Sequence, residues 1–228
     1  MAPHSILFDL DGTLIDSAPG ILASFGAALQ RTGLAPAVPL EASLIGPPLP
    51  VTAATLVGRD DPAAIAALIA AFRTDYDEAG YRATAVYAGV PRLLETLAAT
   101  GIALRIVTNK RIAPTRRILE HLGWTAHFAG VHALDATDPP APHKPAMVAA
   151  VLRAAALLPE RTWMVGDSAE DRRAAETNGL RFFAAGWGYG AAASGSAGPS
   201  FAAPDQAAST QSALTDPLAL LAAVEAGC

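Results

Sequence analysis

The sequence predicts an α/β fold: a Rossmann-like parallel sheet flanked by helices, with a small helical insertion. Three observations carry that expectation. From about residue 85 onward, short apolar runs alternate with stretches of helical spacing, the pattern of strand–helix–strand units in a parallel sheet. Three apolar runs end in polar clusters, Asp9/Asp11, Thr108/Asn109 and Asp167/Asp171, and such sheets gather ligands at the carboxyl ends of their strands. Residues 15–84 show helical spacing without a comparable strand pattern.

Each element has a local reason. Ile6-Leu7-Phe8 is a short buried strand that stops at Asp9, with Gly12 supplying a turn. Ala18 to Arg31 carries Ile21, Leu22, Phe25 and Leu29 on one stripe and stops at Gly33. The following thirty residues, around Ile45-Gly46-Pro47-Pro48, read as loop. Asp61-Pro62 opens a helix bearing Ile65, Leu68, Ile69 and Phe72 that ends near Gly80. Gly89-Val90-Pro91 leads into a helix with Leu93, Leu94 and Leu97. The strand Ala103–Val107 then runs into Thr108-Asn109-Lys110. A helix over Pro114–Leu122, a short strand over Phe128–Val131 and a helix over Pro145–Leu158 come next. Trp163-Met164-Val165 is a strand entering Gly166-Asp167, Asp171–Asn178 a helix stopped by Gly179, and Arg181–Ala184 a strand. Residues 191–211, rich in Ala, Ser, Gly and Pro, read as a long loop, and Pro217–Val224 as a closing helix.

Composition narrows the function. Of 228 residues, 52% are hydrophobic and 16% charged, which excludes a disordered, highly charged chain. The net charge of -5, with no basic block, argues against nucleic acid or an anionic membrane as partner. A single cysteine, Cys228, excludes an internal disulfide and a thiolate metal cluster. The start, MAPHSILFDLDGT, lacks an apolar leader, and no Ala/Leu run reaches spanning length, so a soluble cytoplasmic protein is expected. The chain uses fourteen arginines but only two lysines, Lys110 and Lys144, which marks those two places for attention.

Asp9-Leu10-Asp11-Gly12-Thr13 sets two carboxylates two residues apart at a strand end. In extended backbone both face the same way and repel, unless a cation lies between them. Gly12 permits a sharp turn, and the Thr13 hydroxyl can hold the loop. DLDGTLIDS resembles the first motif of the haloacid dehalogenase-like hydrolases, in the phosphoglycolate-phosphatase-like branch. Thr108 is similar to the second motif, Lys144 within Pro142-His143-Lys144-Pro145 to the third, and Gly166-Asp167-Ser168-Ala169-Glu170-Asp171 to the fourth. The resemblance spans most of residues 5–190. It implies a core of residues 1–14 plus 85–228 and a helical cap of residues 15–84, similar to the small four-helix C1 type.

The resemblance also implies roles. Asp9 is the expected nucleophile, forming an aspartyl-phosphate, and Asp11 the proton donor and then acceptor. An oxygen-rich, cysteine-free ligand set points to Mg²⁺. The family's ligands carry over to Asp9, the carbonyl of Asp11, and Asp167, with Asp171 acting through water or as support. Lys144 is expected to offset charge at Asp9 and the phosphoryl group, while Thr108 and Asn109 hydrogen-bond its oxygens. Lys110, Gly12 and Thr13 are further expected substrate-side residues. Arg73, in Phe72-Arg73-x-x-Tyr76, is the candidate for a substrate carboxylate, with Arg59 and Arg82 as rivals. Glu170 is expected to point elsewhere. The absence of lysine between Thr13 and Val107 excludes a cap-lysine Schiff base, and the presence of Asp11 argues against dehalogenation.

The resulting expectation is a Mg²⁺-dependent phosphomonoester hydrolase acting on a small phosphorylated metabolite, as a monomer or homodimer. Phosphoglycolate is the best single substrate guess. Another small phosphate ester, a nucleotide or a pyrophosphate stays open, as do a β-phosphoglucomutase-like phosphoryl transferase and a non-catalytic phosphate-binding protein.

Overall fold

The computed structural model describes residues 2–190 and 212–227. Its centre is a six-stranded parallel sheet in the order β5-β4-β1-β6-β7-β8. The strands are β1 (Ser5–Phe8), β4 (Ala103–Thr108), β5 (Gly130–Ala133), β6 (Thr162–Gly166), β7 (Arg181–Ala185) and β8 (Ser212–Leu214). Alternation along each strand builds two apolar layers. Ile6, Phe8, Leu104, Ile106, Trp163, Val165 and Phe183 face helices α4 (Val90–Ala99), α5 (Ile112–His121) and α8 (Ala219–Ala226). Leu7, Val107, Met164 and Phe182 face α6 (Lys144–Ala154) and α7 (Ala169–Thr177).

Register places the site. Phe8 lies opposite Ile106 on one side and Val165 on the other, so Asp9 comes level with Val107 and Gly166. The three polar clusters read from the sequence therefore emerge along one edge of the sheet.

Between β1 and α4 the chain leaves the sheet through β2 (Ile15–Asp16) and returns through β3 (Ala85–Val86), which pair as an antiparallel ribbon. The insertion contains α1 (Ala18–Thr32), α2 (Leu49–Val57) and α3 (Pro62–Glu78), with short 3₁₀ turns at Ala42–Leu44 and Gly80–Ala83. That is three α-helices where four were expected. Its own core joins Phe25, Leu29, Leu56, Leu68, Phe72 and Tyr76. Phe72 stacks on Phe25 with ring centroids 4.2 Å apart and on Tyr76 at 5.2 Å.

Several expectations need correction. The stretch read as loop contains α2. Pro48 caps it and Pro50 sits in its first turn, where the missing N–H costs nothing. Strand β5 starts two residues later than expected, and α6 ends at Ala154 instead of Leu158. Strands β2, β3 and β8 had no sequence signal, being two or three residues long. The loop expected over residues 191–211, and Cys228, lie outside the described residues.

Leu56 is fully buried in the core of the insertion. Leu56→Ala is expected to lower unfolding free energy by roughly 2–5 kcal/mol, read from urea midpoints followed by circular dichroism.

Candidate active site

Asp9 continues the ladder of β1, its N–H donating to the Val165 carbonyl at 2.9 Å, and its side chain is buried. The Lys144 ammonium, at the start of α6, lies 2.6 Å from Asp9 Oδ1 and 2.5 Å from Asp171 Oδ1. Asp171 is fixed in turn at the start of α7. Its Oδ2 accepts from the Ser168 N–H at 3.0 Å and hydroxyl at 2.6 Å, and its own N–H donates to Ser168 Oγ, a reciprocal cap. Asn178, at the far end of α7, donates to the Pro145 carbonyl at 3.1 Å and so ties α7 to the turn that carries Lys144.

Ligand atoms of Asp9, Asp167 and Asp171 all fall within 4.8 Å of one another. Burial holds the Asp9 carboxyl well above the usual range. Lys144 opposes that shift, while Asp171 and Asp167 add to it. Burial pushes Asp167 up to about 6, against the Gly190 N–H, which donates to it at 3.1 Å. Two carboxyls that ionise reluctantly beside each other are what an oxygen-seeking divalent cation relieves, and the all-oxygen donor set fits one. Asp171 is already occupied by Lys144 and Ser168, so it positions the ammonium and supports the cluster.

The glycines around Asp167 are steric requirements. Gly12 has φ +84° and closes the turn after β1. A side chain there, or at Gly188, would run into the Asp167 carboxyl. A side chain at Gly166 would strike Asp171. Thr13 is buried and its hydroxyl reaches Asp167 Oδ1 at 3.4 Å.

Asp11 is also buried, and its carboxylate meets the other lysine. Lys110 Nζ lies 2.9 Å from Asp11 Oδ1 and 3.2 Å from Oδ2, and the Ser17 hydroxyl donates to Oδ1 as well. Burial alone would depress the Lys110 ammonium, but Asp11 and Tyr76 outweigh it and raise it above the ordinary lysine range. Thr108 is buried at the end of β4, its Oγ1 accepting from the Lys110 N–H at 3.1 Å. Asn109 Nδ2 donates to Glu170 Oε2 at 2.7 Å and to the Gly46 carbonyl at 2.9 Å. Glu170 was expected to point elsewhere. It turns away from the acid cluster but bridges Asn109 and the Lys144 N–H, the latter at 3.4 Å.

A narrow cleft, with a cavity volume of about 70 Å³, opens over these residues between sheet edge and insertion. Asp9, Asp11, Thr108, Asn109 and Lys110 form its base, while Phe25, Ile45, Phe72 and Tyr76 belong to its apolar wall. The insertion is tied to the core by Arg111, paired through two nitrogens with Asp77, and by Arg117 on the Asp77 carbonyl. Near the ribbon, the Tyr189 hydroxyl accepts from the Ser17 N–H at 2.8 Å and the Ala18 N–H at 3.0 Å, and donates to Asp16 at 2.8 Å. Trp187 Nε1 donates to the Thr13 carbonyl at 3.0 Å, so this loop clasps the first motif.

With that geometry established, comparison with known proteins is decisive for the family. The sequence profile of the haloacid dehalogenase-like hydrolases matches residues 6–185. The chain belongs to this family. It is 38% identical over 192 residues to tyrosine-protein kinase PtkA of Mycobacterium tuberculosis, covering 84% of this chain and 65% of that protein. The chain thus spans under two thirds of the length of that relative. The solved PtkA structure superposes with a TM-score of 0.77 at 34% identity, covering 98% of each chain. A 5'-nucleotidase of Pseudomonas aeruginosa is 33% identical over 82% of this chain and 84% of its own length. A phosphoglycolate phosphatase of Xylella fastidiosa is 34% identical over 82% of each chain.

As a haloacid dehalogenase-like chain, it brings Asp9, Asp11, Gly12, Thr13, Thr108, Asn109, Lys110, Lys144, Asp167 and Asp171 to one sheet edge. Arg73 is not among them. On α3 the residues Leu68, Phe72 and Tyr76 recur at four-residue steps and turn inward, so Arg73 is carried onto the exposed face, outside the cleft lining. Ser17, Tyr76, Glu170 and Tyr189 were missed as functional neighbours. Three of these sit inside the quoted motifs, Ser17 at the end of DLDGTLIDS, Tyr76 in Phe72-Arg73-x-x-Tyr76 and Glu170 in Gly166–Asp171, but the motifs alone assign them no contact.

Because the Asp167 carboxyl titrates near 6 in the fold against 3.8 ordinarily, the folded chain binds more protons than the unfolded one between those values. Stability without a cation therefore falls as pH rises through that window. A bound divalent cation offsets the loss, so thermal-shift measurements are expected to show a larger Mg²⁺-induced rise in Tm at about pH 7.5 than at about pH 5. Equal shifts at both values would contradict this reading.

Proposed function

We propose that this chain is a Mg²⁺-dependent phosphomonoester hydrolase acting through an aspartyl-phosphate on Asp9, with 2-phosphoglycolate as the first substrate to test. The observation that carries the reading is the buried Asp9 carboxylate at the end of β1, 2.6 Å from Lys144 and clustered with Asp167 and Asp171. A dianionic phosphate cannot approach such a cluster without compensating charge. Lys144 provides one positive charge. A divalent cation held by Asp9, Asp167 and the Asp11 carbonyl would supply the rest and polarise the phosphoryl oxygens.

In the first step an Asp9 oxygen attacks phosphorus as the P–O ester bond breaks, and Asp11 delivers a proton to the departing alkoxide. In the second, Asp11 takes a proton from water as that water attacks phosphorus, and Asp9 leaves as carboxylate with release of inorganic phosphate. Thr108 Oγ1 and the Asn109 amide group, at the end of β4, would donate to phosphoryl oxygens. The insertion excludes bulk water from the aspartyl-phosphate.

The PtkA likeness favours a second reading, transfer of the phosphoryl group to a protein tyrosine. Both readings are tested together by incubating wild type and Asp9→Asn with 2-phosphoglycolate, 5'-mononucleotides and a sugar phosphate, with and without Mg²⁺, and separately with ATP and a tyrosine-containing peptide. The hydrolase reading expects Mg²⁺-dependent phosphate release that falls roughly 10³-fold or more in Asp9→Asn. Phosphopeptide formation without ester hydrolysis would favour the kinase reading. Undiminished hydrolysis by Asp9→Asn would remove Asp9 as nucleophile.

A further inference from the structure

The cleft contains a cation that the phosphoryl chemistry does not use. The Lys110 side chain is 6% exposed, at the base of a wall built mainly from apolar side chains. Of the described residues lining the cleft, Lys110 and Arg111 are the cationic ones, and Arg111 is committed to Asp77. Facing Lys110 across the cleft is Tyr76, whose ring centroid lies 4.8 Å from Nζ. Tyr76 is 2% exposed, its hydroxyl is set against the Lys110 ammonium, and no other group among the described residues hydrogen-bonds it. An ammonium can only donate to that hydroxyl, so the buried O–H still has its own proton to give, and beside a buried cation it marks a place prepared for an acceptor.

Position restricts what that acceptor can be. Lys110 holds both oxygens of Asp11, the group that meets the ester oxygen. An ester oxygen hydrogen-bonded to Asp11 therefore lies within roughly 6 Å of Nζ. An ester oxygen, one carbon and a carboxylate, followed by a hydrogen bond, span that distance.

Resting on the hydrolase reading, we propose that Lys110 and Tyr76 form the subsite for a carboxylate carried one carbon from the ester oxygen, and that this carboxylate draws Lys110 off Asp11. Until it arrives, Lys110 and Ser17 engage Asp11 at both oxygens. Once it binds, one oxygen is released toward the leaving group. Lys110 is thus a specificity residue contributed by the sheet edge, and Tyr76 its counterpart from the insertion. This is the task that the sequence had assigned to Arg73.

The test compares 2-phosphoglycolate with 2-hydroxyethyl phosphate, which replaces the carboxylate with an uncharged alcohol at similar size. Charge-assisted hydrogen bonds of this kind predict a wild-type preference in kcat/KM of roughly 10- to 150-fold for the carboxylate ester. Lys110→Met is expected to reduce that ratio to near unity, and Tyr76→Phe to reduce it several-fold. Tyr76→Phe removes only the hydroxyl, so it decides the matter should Lys110→Met fail to fold. A second readout does not depend on turnover. Calorimetric binding of 2-phosphoglycolate to Asp9→Asn is expected to weaken tenfold or more when Lys110→Met is added. Equal wild-type rates on both esters, or an unchanged ratio in both variants, overturn the subsite and leave the hydrolase reading standing. If wild type hydrolyses no ester, that reading fails, and binding that is indifferent to Lys110 then overturns the subsite too.

Discussion

The Lys144 ammonium between Asp9 and Asp171 is the interaction on which the site depends. Without it, three carboxylates would crowd one buried edge, and Coulomb repulsion in a poorly solvated place is too strong to leave them all ionised. Such a buried pair adds little net stability, because desolvation consumes most of the attraction. Losing one partner is another matter, since it strands a charge in the interior. The surrounding structure is accordingly devoted to holding the ammonium still. Asp171 is locked by its reciprocal cap with Ser168, Asn178 fastens α7 to Pro145, and Glu170 accepts from the Lys144 backbone. Each contact is modest, but together they fix a flexible side chain whose alternative is water.

A division of labour follows from the topology. The ends of β1, β4 and β6 carry the carboxylates and hydrogen-bond donors of the proposed reaction, which register brings level, and the start of α6 adds Lys144. The insertion supplies the aromatic wall and is tied to the core through Asp77 on Arg111 and Arg117. In the proposed reaction, phosphoryl chemistry would thus belong to the parallel sheet, and leaving-group selection to the seam between sheet and insertion. The differing names of the relatives, a nucleotidase, a glycolate-ester phosphatase and a tyrosine kinase, accord with a fixed centre beneath a variable wall.

Much of the sheet edge was legible in the sequence because its signals are local. Asp-x-Asp-Gly-Thr after an apolar strand, Gly-Asp before a capped helix and a rare lysine at a helix start each announce themselves within a few residues. What stayed hidden depends on long-range pairing. Strands of two or three residues, such as β2, β3 and β8, exist only because a partner strand is present. Helix α2 was concealed by prolines that look like loop formers but sit where a first turn accepts them. Arg73 was attractive by charge, yet the four-residue recurrence of Leu68, Phe72 and Tyr76 had already settled which face of α3 turns inward. Glu170 and Tyr189 act on residues far away in sequence, and no spacing rule reaches across that gap.

The β2–β3 ribbon has a consequence for how such proteins diversify. Because Ile15 sits beside Val86 and Asp16 beside Ala85, the chain departs and returns through adjacent points. The intervening segment is therefore a closed excursion whose two ends already touch, and an unrelated module with neighbouring termini could be spliced in without shifting a single sheet pairing. A hybrid of that kind would keep Lys110 and lose Tyr76, so that the proposed reaction centre would stay at the sheet edge beneath a different wall.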